Sequence, residues 1–464
     1  MRTEIETDSG PSGSATTVTR SRQSSSHDAE YRSWGNFPKA THRKVLRPAW
    51  TDEITCELLR ANTPLLAYGL GRSYGDSCLN DGGTLMDISR LDRVLHFDFE
   101  HGTIVCEAGV SLSDILLVAV PRGWFLPVSP GTKFVTLAGA IANDVHGKNH
   151  HVKGTIGCHV DRLELVRSTG EQLVCSPSQN PELFAATIGG LGVTGIILWV
   201  ELRLKKITSS QIEMDTVPFS TFEDFIRLSS DEQGAQYEHT VGWMDCLSGS
   251  KTRGIFTRGN HATDGKLEVH PGKVKLSIPF TLPDFFLNPL AIRGFNSLHY
   301  AAGRLKSGHS RVHYDPFFYP LDKVADWNRI YGKRGFTQYQ CVVPGNELAA
   351  FQEILERVAR AGQGSFLGVI KKFGDVPSPG MMSFPRSGFT LALDFPFRGE
   401  KTLKLFAEID EVVLAAKGAL YPAKDPRMDE RLFRASYPRL EEFRKYVDPG
   451  LSSSFWRRVA GEKA

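Results

Sequence analysis

Small residues crowd beside titratable ones in one stretch, Leu126 to Asn149, which reads LPVSPGTKFVTLAGAIANDVHGKN. Gly131, Ala138, Gly139, Ala140 and Ala142 let the backbone come close to something flat or charged. Asn143, His146, Lys148 and Asn149 add donors and a titratable ring beside that close approach. Two readings fit these residues: a bound cofactor against the small side chains, or a tightly packed turn in an α/β core.

A second candidate is Gly69-Leu70-Gly71-Arg72-Ser73-Tyr74-Gly75-Asp76, which follows the short apolar run Leu65 to Tyr68. Glycine-rich loops after strands turn backbone N–H groups toward phosphate oxygens. The glycine spacing GxGxxxG and the turn at Asn80 to Gly83, followed by Thr84 to Asp87, give strand, loop, strand. That order argues against a dinucleotide-binding βαβ unit. A third glycine loop, Gly189 to Gly195, enters the alternating strand Ile196 to Leu204. Three such loops in one region favour a large ligand with phosphates. Near the C-terminus, Tyr421-Pro422-Ala423-Lys424-Asp425 sets one lysine in a turn, ordinarily a solvated surface group.

The elements that must hold these groups follow from periodicity and caps. Thr103 to Val110 reads as a buried strand, and Ser111 with Asp114 caps a helix through Val120. Arg162 to Arg167 and Gln172 to Cys175 flank a turn as a hairpin, and Pro181 to Thr187 is a short helix. Beyond Ile207, helices over 346–360 and 402–417 alternate with strands over 366–372 and 389–397. In the last strand Phe389, Leu391, Leu393, Phe395 and Phe397 share one face, leaving Thr390, Ala392 and Asp394 free to line a pocket. Val274 to Phe295 is apolar, broken by three prolines and without either period. It reads as a loop over the core or as an apolar flap that touches a lipid tail or membrane surface.

Composition narrows the class. The 464 residues carry 55 basic and 52 acidic side chains, a net charge of +3 that gives no reason to expect nucleic acid as a partner. Seven scattered cysteines without a CxxC pair read as reduced thiols, not a disulfide framework or zinc site, so no metal is expected. With no long apolar run and no signal-peptide core, the expectation is a cytoplasmic protein, at most peripheral at a membrane.

The strings GLGRSYGD, PGT-x-x-VT-x-x-GAIA, D-x-HGKNHH, TGII, HYDPFFYPLD, FTQYQ and YPAKD occur in order from about Trp34 onward. On them the chain resembles the vanillyl-alcohol oxidase and p-cresol methylhydroxylase superfamily of flavoproteins. Within it, the chain is similar to the decaprenylphosphoryl-β-D-ribose 2'-oxidase branch. The resemblance implies an α+β fold: a two-subdomain FAD-binding domain and an antiparallel-sheet substrate (cap) domain. The expected division is a disordered polar tail over 1–33, the FAD domain over 34–206, the cap over 207–414 and a C-terminal return to the FAD domain over 415–464.

The same resemblance assigns roles. Ala67, Tyr68, Gly69, Leu70, Gly71, Arg72, Ser73, Tyr74, Gly75, Asp76 and Ser77 are expected around the FAD pyrophosphate. Gly131, Thr136, Leu137, Ala138 and Gly139 run beside the cofactor, Asn143, Asp144, Val145 and His146 along its isoalloxazine, and Ile197 near its adenine half. Tyr421 also reaches the flavin. Lys424 is the first choice for the group near flavin and reacting hydroxyl, and Lys371 the second; His146 either takes part in the chemistry or only orders its loop. Tyr74, Tyr319, Gln340 and Ala392 complete the substrate set, with Asp394 and Trp243 as weaker candidates.

The implied reaction is oxidation of the 2'-hydroxyl of a lipid-linked sugar phosphate, a polyprenyl-phosphoryl ribofuranose. An NAD(P)-dependent short-chain reductase completes epimerisation to the arabinose. Two other readings stand beside it: an oxidase of a soluble sugar, alditol or sugar lactone, and a non-catalytic flavin-binding scaffold. Val145 is bulkier than the small residue expected where oxygen reaches the flavin, which favours a dehydrogenase over an oxidase.

Two positions depart from relatives. Arg72 stands where several carry the histidine that bonds the flavin, and no cysteine falls between Cys106 and Cys158 for the other attachment. Ala392 stands where mycobacterial members carry a cysteine that reacts with nitroaromatic inhibitors. The flavin is therefore expected to be held without a covalent bond. Acid precipitation should leave the yellow colour in the supernatant; colour in the pellet would contradict this.

Overall fold

The computed structural model describes residues 31–230, 236–248, 252–270, 276–278 and 287–461. The expected tail lies outside these, except that Tyr31, Arg32 and Ser33 already belong to the fold. The Tyr31 hydroxyl donates to Asp87 at 2.9 Å and its ring meets Tyr68 edge-on.

Two small sheets build the N-terminal half. β1 (Lys44–Leu46), β2 (Leu65–Tyr68) and β3 (Thr84–Asp87) form a parallel sheet in the order β1-β3-β2. β4 (Val94–Asp98), β5 (Thr103–Glu107), β6 (Val160–Val166), β7 (Gln172–Cys175) and β8 (Ile196–Arg203) form an antiparallel sheet in the order β4-β5-β8-β6-β7. Between them lie helices α1 (Leu112–Ala119) and α2 (Leu137–Ala142). Ser111 and Asp114 close a capping box on α1, as their spacing predicts. Thr136 caps α2 by accepting from Gly139 N.

The second half is one eight-stranded antiparallel sheet. Its strands are β9 (Gln211–Phe219), β10 (His239–Met244), β11 (Gly254–His261), β12 (Gly308–His313), β13 (Phe336–Val343), β14 (Gly368–Phe373), β15 (Gly388–Pro396) and β16 (Ala419–Leu420). Their order is β12-β9-β11-β10-β14-β15-β13-β16. One face carries Tyr339, Cys341, Ile370, Leu391, Leu393 and Phe395. It packs against helices α3 (Phe222–Ser230), α5 (Leu348–Ala361) and α6 (Glu400–Ala415) through residues such as Phe222, Phe351 and Phe406.

A further helix, α4 (Pro289–Leu305), begins inside the stretch read from sequence as a loop or flap. Asn288 caps it by accepting from Ala291 N at 2.9 Å, and Pro289 takes the first helical position, where its missing N–H costs nothing. Most of the rest of that stretch, 274–275 and 279–286, lies outside the described residues.

The C-terminal segment ties the halves together. After adding β16 to the large sheet, the chain returns to the small one, where Leu451 bridges Leu65. Helix α7 (Ser454–Ala460) presents Arg458 to Asp76 at 2.6 Å and to Asp425 at 3.5 Å. The backbones of the first glycine loop and the YPAKD turn nearly touch: a Cβ on Gly75 would lie 2.2 Å from Asp425 O. Only glycine permits that approach. Replacing Arg458 with alanine leaves two buried carboxylates without their cation. It should destabilise the protein by about 2–3 kcal/mol in urea unfolding, with partial recovery in Arg458→Lys. An unchanged midpoint would remove this clamp from the account.

Candidate active site

The polar face of the large sheet closes over the glycine loops, and a cavity of about 530 Å³ lies between them. Strand alternation explains the wall. On β13, Gln338 and Gln340 face the cavity; opposite them on β15 stand Asp394 and Ala392. Lys371 on β14 pairs in register with Thr390 and shares that face. Its neighbour Lys372 points the other way and donates to Ser230 Oγ at 3.1 Å.

The two cavity lysines have different surroundings. Lys424 sits with its Nζ 3.6 Å from the Tyr74 ring centroid, a cation–π contact. Burial pushes its ammonium down, and Asp394 opposes the shift; burial likewise raises the Asp394 carboxyl, against its bond from Gln338 and the charge of Lys424. Lys371 has no such carboxylate. Burial, with Lys148 and Lys424 nearby, pushes it down to about 7.

His146 completes the inner end. Gln340 Nε2 donates to His146 Nε2 at 3.1 Å, which places the ring proton on Nδ1. Burial, and next Lys371, holds this imidazole well below its ordinary range, so it is neutral. Tyr421 donates its hydroxyl to Asn143 O at 2.9 Å, tying the YPAKD turn to the His146 segment.

Most residues expected from the sequence line this cavity. Ala67, Gly69, Leu70, Gly71, Arg72, Ser73, Tyr74 and Ser77 come from the first loop. Gly131, Thr136, Ala138, Gly139, Asn143, Val145 and His146 come from the central stretch, Ile197 from β8, and Tyr421 and Lys424 from the C-terminal turn. Gln340, Lys371, Ala392 and Asp394 come from the large sheet.

Seven do not line it, and each has another task. Tyr68 donates to Arg32 O at 2.7 Å. Gly75 and Asp76 belong to the clamp around Asp425 and Arg458. Leu137 is fully buried in the N-terminal core. Asp144 accepts from Ser378, Ser383 and Gly157 N, which holds its left-handed turn (φ 41°) beside His146. Tyr319 bonds Ser129 Oγ at 2.9 Å behind the loop that carries Gly131. Trp243 donates to Phe366 O, and its ring meets His299 of α4 at a tilt, 4.4 Å between centroids.

Thr390 lines the cavity as the strand alternation predicts, whereas sequence reasoning missed Gln338, Asp322 and Trp327, which also line it. Gln338 was accessible, being two residues from Gln340 on an alternating strand. Asp322 accepts from Lys133 N at 3.0 Å, a contact across 189 positions that no local pattern signals.

The cavity suits a phosphate-bearing cofactor. Among the described residues, no backbone N–H from Leu70 to Ser73 has a hydrogen-bond partner. Gly71 is in the left-handed region (φ 61°), so consecutive N–H groups converge there as they do in anion-binding nests. Ser77 Oγ, Asn143 Oδ1, His146 Nδ1 and Asp394 Oδ2 are buried without partners, and buried polar atoms rarely stay so. A Cβ on Gly131 would meet nothing within 4 Å. These residues fit FAD.

Comparison with known proteins agrees. Residues 45–176 match the FAD binding domain family. Decaprenylphosphoryl-β-D-ribose oxidase of Mycolicibacterium smegmatis is 37% identical over 83% of this chain and 86% of its own. An uncharacterized Streptomyces coelicolor protein is 31% identical over 75% of this chain and its entire length. Bovine L-gulonolactone oxidase is 27% identical over 45% of this chain and 47% of its own.

Gly131→Leu should melt like the parent without cofactor yet bind FAD at least about tenfold more weakly, because a side chain there takes up cofactor space. Equal affinity in a flavin titration would show that the cofactor lies elsewhere. The chain belongs to the decaprenylphosphoryl-β-D-ribose oxidase family of FAD-binding flavoproteins and is an FAD-dependent oxidoreductase.

Proposed function

We propose that the enzyme oxidises the 2'-hydroxyl of a polyprenyl-phosphoryl-β-D-ribofuranose to the 2'-keto sugar. This is the first half of an epimerisation to the arabinose, and an NAD(P)-dependent short-chain reductase completes the second. The observation that carries the reading is a pair of buried lysines with different surroundings in one cavity. Burial lowers both ammonium groups, but among the described residues Lys371 has no carboxylate partner, whereas Lys424 has the Tyr74 ring and the Asp394 charge beside it.

Bound FAD supplies the acceptor for the carbinol hydride. Lys371, neutral in a useful fraction at pH 7, takes the hydroxyl proton. Lys424 lines the same cavity, and Asp394 favours its charged form, which offsets negative charge that develops or arrives with a sugar phosphate. Gln338 keeps Asp394 beside that lysine through a hydrogen bond. Gln340 fixes the His146 tautomer, and the small side chain of Ala392 leaves room opposite Gln340.

The FAD is held without a covalent bond. The Arg72 guanidinium lies 4.0 Å above the Trp34 ring and its Nε donates to Phe134 O, so that position offers no nucleophile. A second reading, oxidation of a soluble sugar lactone with oxygen, draws on the likeness to L-gulonolactone oxidase, which covers less than half of this chain.

Anaerobic mixing with polyprenyl-phosphoryl ribose, free ribose and L-gulonolactone separates the readings. Bleaching of the flavin absorbance by the lipid-linked sugar alone is expected, and bleaching by the lactone alone would overturn the proposal. Lys371→Met should slow that bleaching by about 10²–10⁴-fold. In the parent enzyme the rate should rise with pH through about 7 and then level, because Lys371 is the base only when neutral. Lys424→Met should weaken substrate binding and keep the rise but move it to higher pH, because the Lys424 charge helps lower Lys371, and a flat profile in the parent would remove Lys371 as the base.

A further inference from the structure

Helix α4 faces water with the wrong side of an amphipathic pattern. At about 100° per residue, Leu290, Ala291, Phe295, Leu298, Ala302 and Leu305 fall within about 140° of the helical wheel. All six are exposed: Leu290 by 78%, Leu298 by 74% and Leu305 by 89%. The opposite side carries Ile292 and Asn296, which are buried; Asn296 donates to Asp245 at 2.9 Å. The helix is therefore held to the domain by a narrow inner edge. Its apolar stripe, about 25 Å long, has no covering element among the described residues.

The charge beside the stripe says what covers it. From Phe285 to Tyr314 the sequence contains no aspartate or glutamate, while Arg293, Arg304, Lys306 and Arg311 fall within it. Arg293 and Arg304 lie along one border of the stripe and Lys306 at its end. All three are exposed and have no ion-pair partner among the described residues. A protein partner could use the apolar residues, but basic side chains bordering an apolar helix face match an anionic bilayer surface. No helix among the described residues is long and apolar enough to cross a membrane, so the contact is one of lying on the surface. The stripe is also close to the cavity: Phe295 meets Phe366 edge-on at 5.1 Å, and the next residue, Leu367, lines the cavity.

We propose that the outer face of helix Pro289–Leu305 docks the enzyme on an anionic lipid bilayer, with Leu290, Phe295, Leu298 and Leu305 in the acyl boundary and Arg293, Arg304 and Lys306 at the headgroups. The claim goes beyond the substrate reading and is judged by vesicle binding alone. Trp243, whose ring packs at a tilt against His299, anchors the helix from below, which accounts for an indole that the cavity does not use.

The test is flotation of the FAD-loaded full chain with vesicles of phosphatidylcholine, with and without phosphatidylglycerol. The parent should float with the anionic vesicles and lose binding as salt rises. Leu298→Glu with Leu305→Glu should reduce binding by about tenfold or more, and Arg293→Glu with Arg304→Glu should do so on anionic vesicles only. Both variants change exposed positions, so their flavin spectrum and their turnover of a detergent-dispersed substrate should match the parent. Failure of the parent to float, or floating of the leucine variant at parental strength, overturns the proposal. So does a leucine variant that only converts a dimer to monomers in sedimentation. None of these outcomes bears on whether a lipid-linked sugar bleaches the flavin, which tests the substrate separately.

Discussion

The eight-stranded sheet must satisfy opposite demands on its two faces, and the active site exists because it does. One face buries Tyr339, Ile370, Leu391, Leu393 and Phe395 against three helices. The other presents Gln338, Gln340, Lys371, Thr390 and Asp394 to a cavity. Period-two alternation couples them, so a one-residue slip of β13, β14 or β15 would bury a lysine in the core and expose a phenylalanine to the cofactor. The apolar face thus sets the register that the polar face needs.

The charged wall depends in turn on the glycine loops it covers. Lys371 and Lys424 are desolvated near one another, with Asp394 near Lys424, a costly arrangement unless it performs a function. The first loop adds four unpaired N–H groups, and Gly75 lets that loop lie against the YPAKD turn that brings in Lys424. Arg458 holds both segments through Asp76 and Asp425. Positioning of the lysine and cradling of the cofactor are therefore one structural unit, although the residues lie some 350 positions apart in the chain.

Much of this was legible in sequence where chemistry follows a local period. The opposite facing of Lys371 and Lys372, the cavity face of Thr390, Ala392 and Asp394, and the cap at Ser111 all follow from spacing or residue type. The motif resemblance carried the rest of the cofactor shell, but it did not separate residues that touch the cavity from those that support it. Tyr68, Gly75, Asp76, Leu137 and Asp144 lie within or beside lining segments and face away, since alternate residues of a loop or strand cannot all point inward. Tyr319 and Trp243 were misplaced because their partners, Ser129 and His299, are distant in sequence. Helix α4 was hidden because only its first seven residues fall in the stretch Val274 to Phe295, where three prolines break either period.

The central claim is that loops and sheet together enclose one FAD per chain. Titration of the apoprotein with FAD, followed by visible absorbance, tests it directly. The account predicts saturation at one equivalent, with quenching of Trp34 and Trp327, which line the cavity. A colourless protein that stays colourless at any FAD concentration would contradict it.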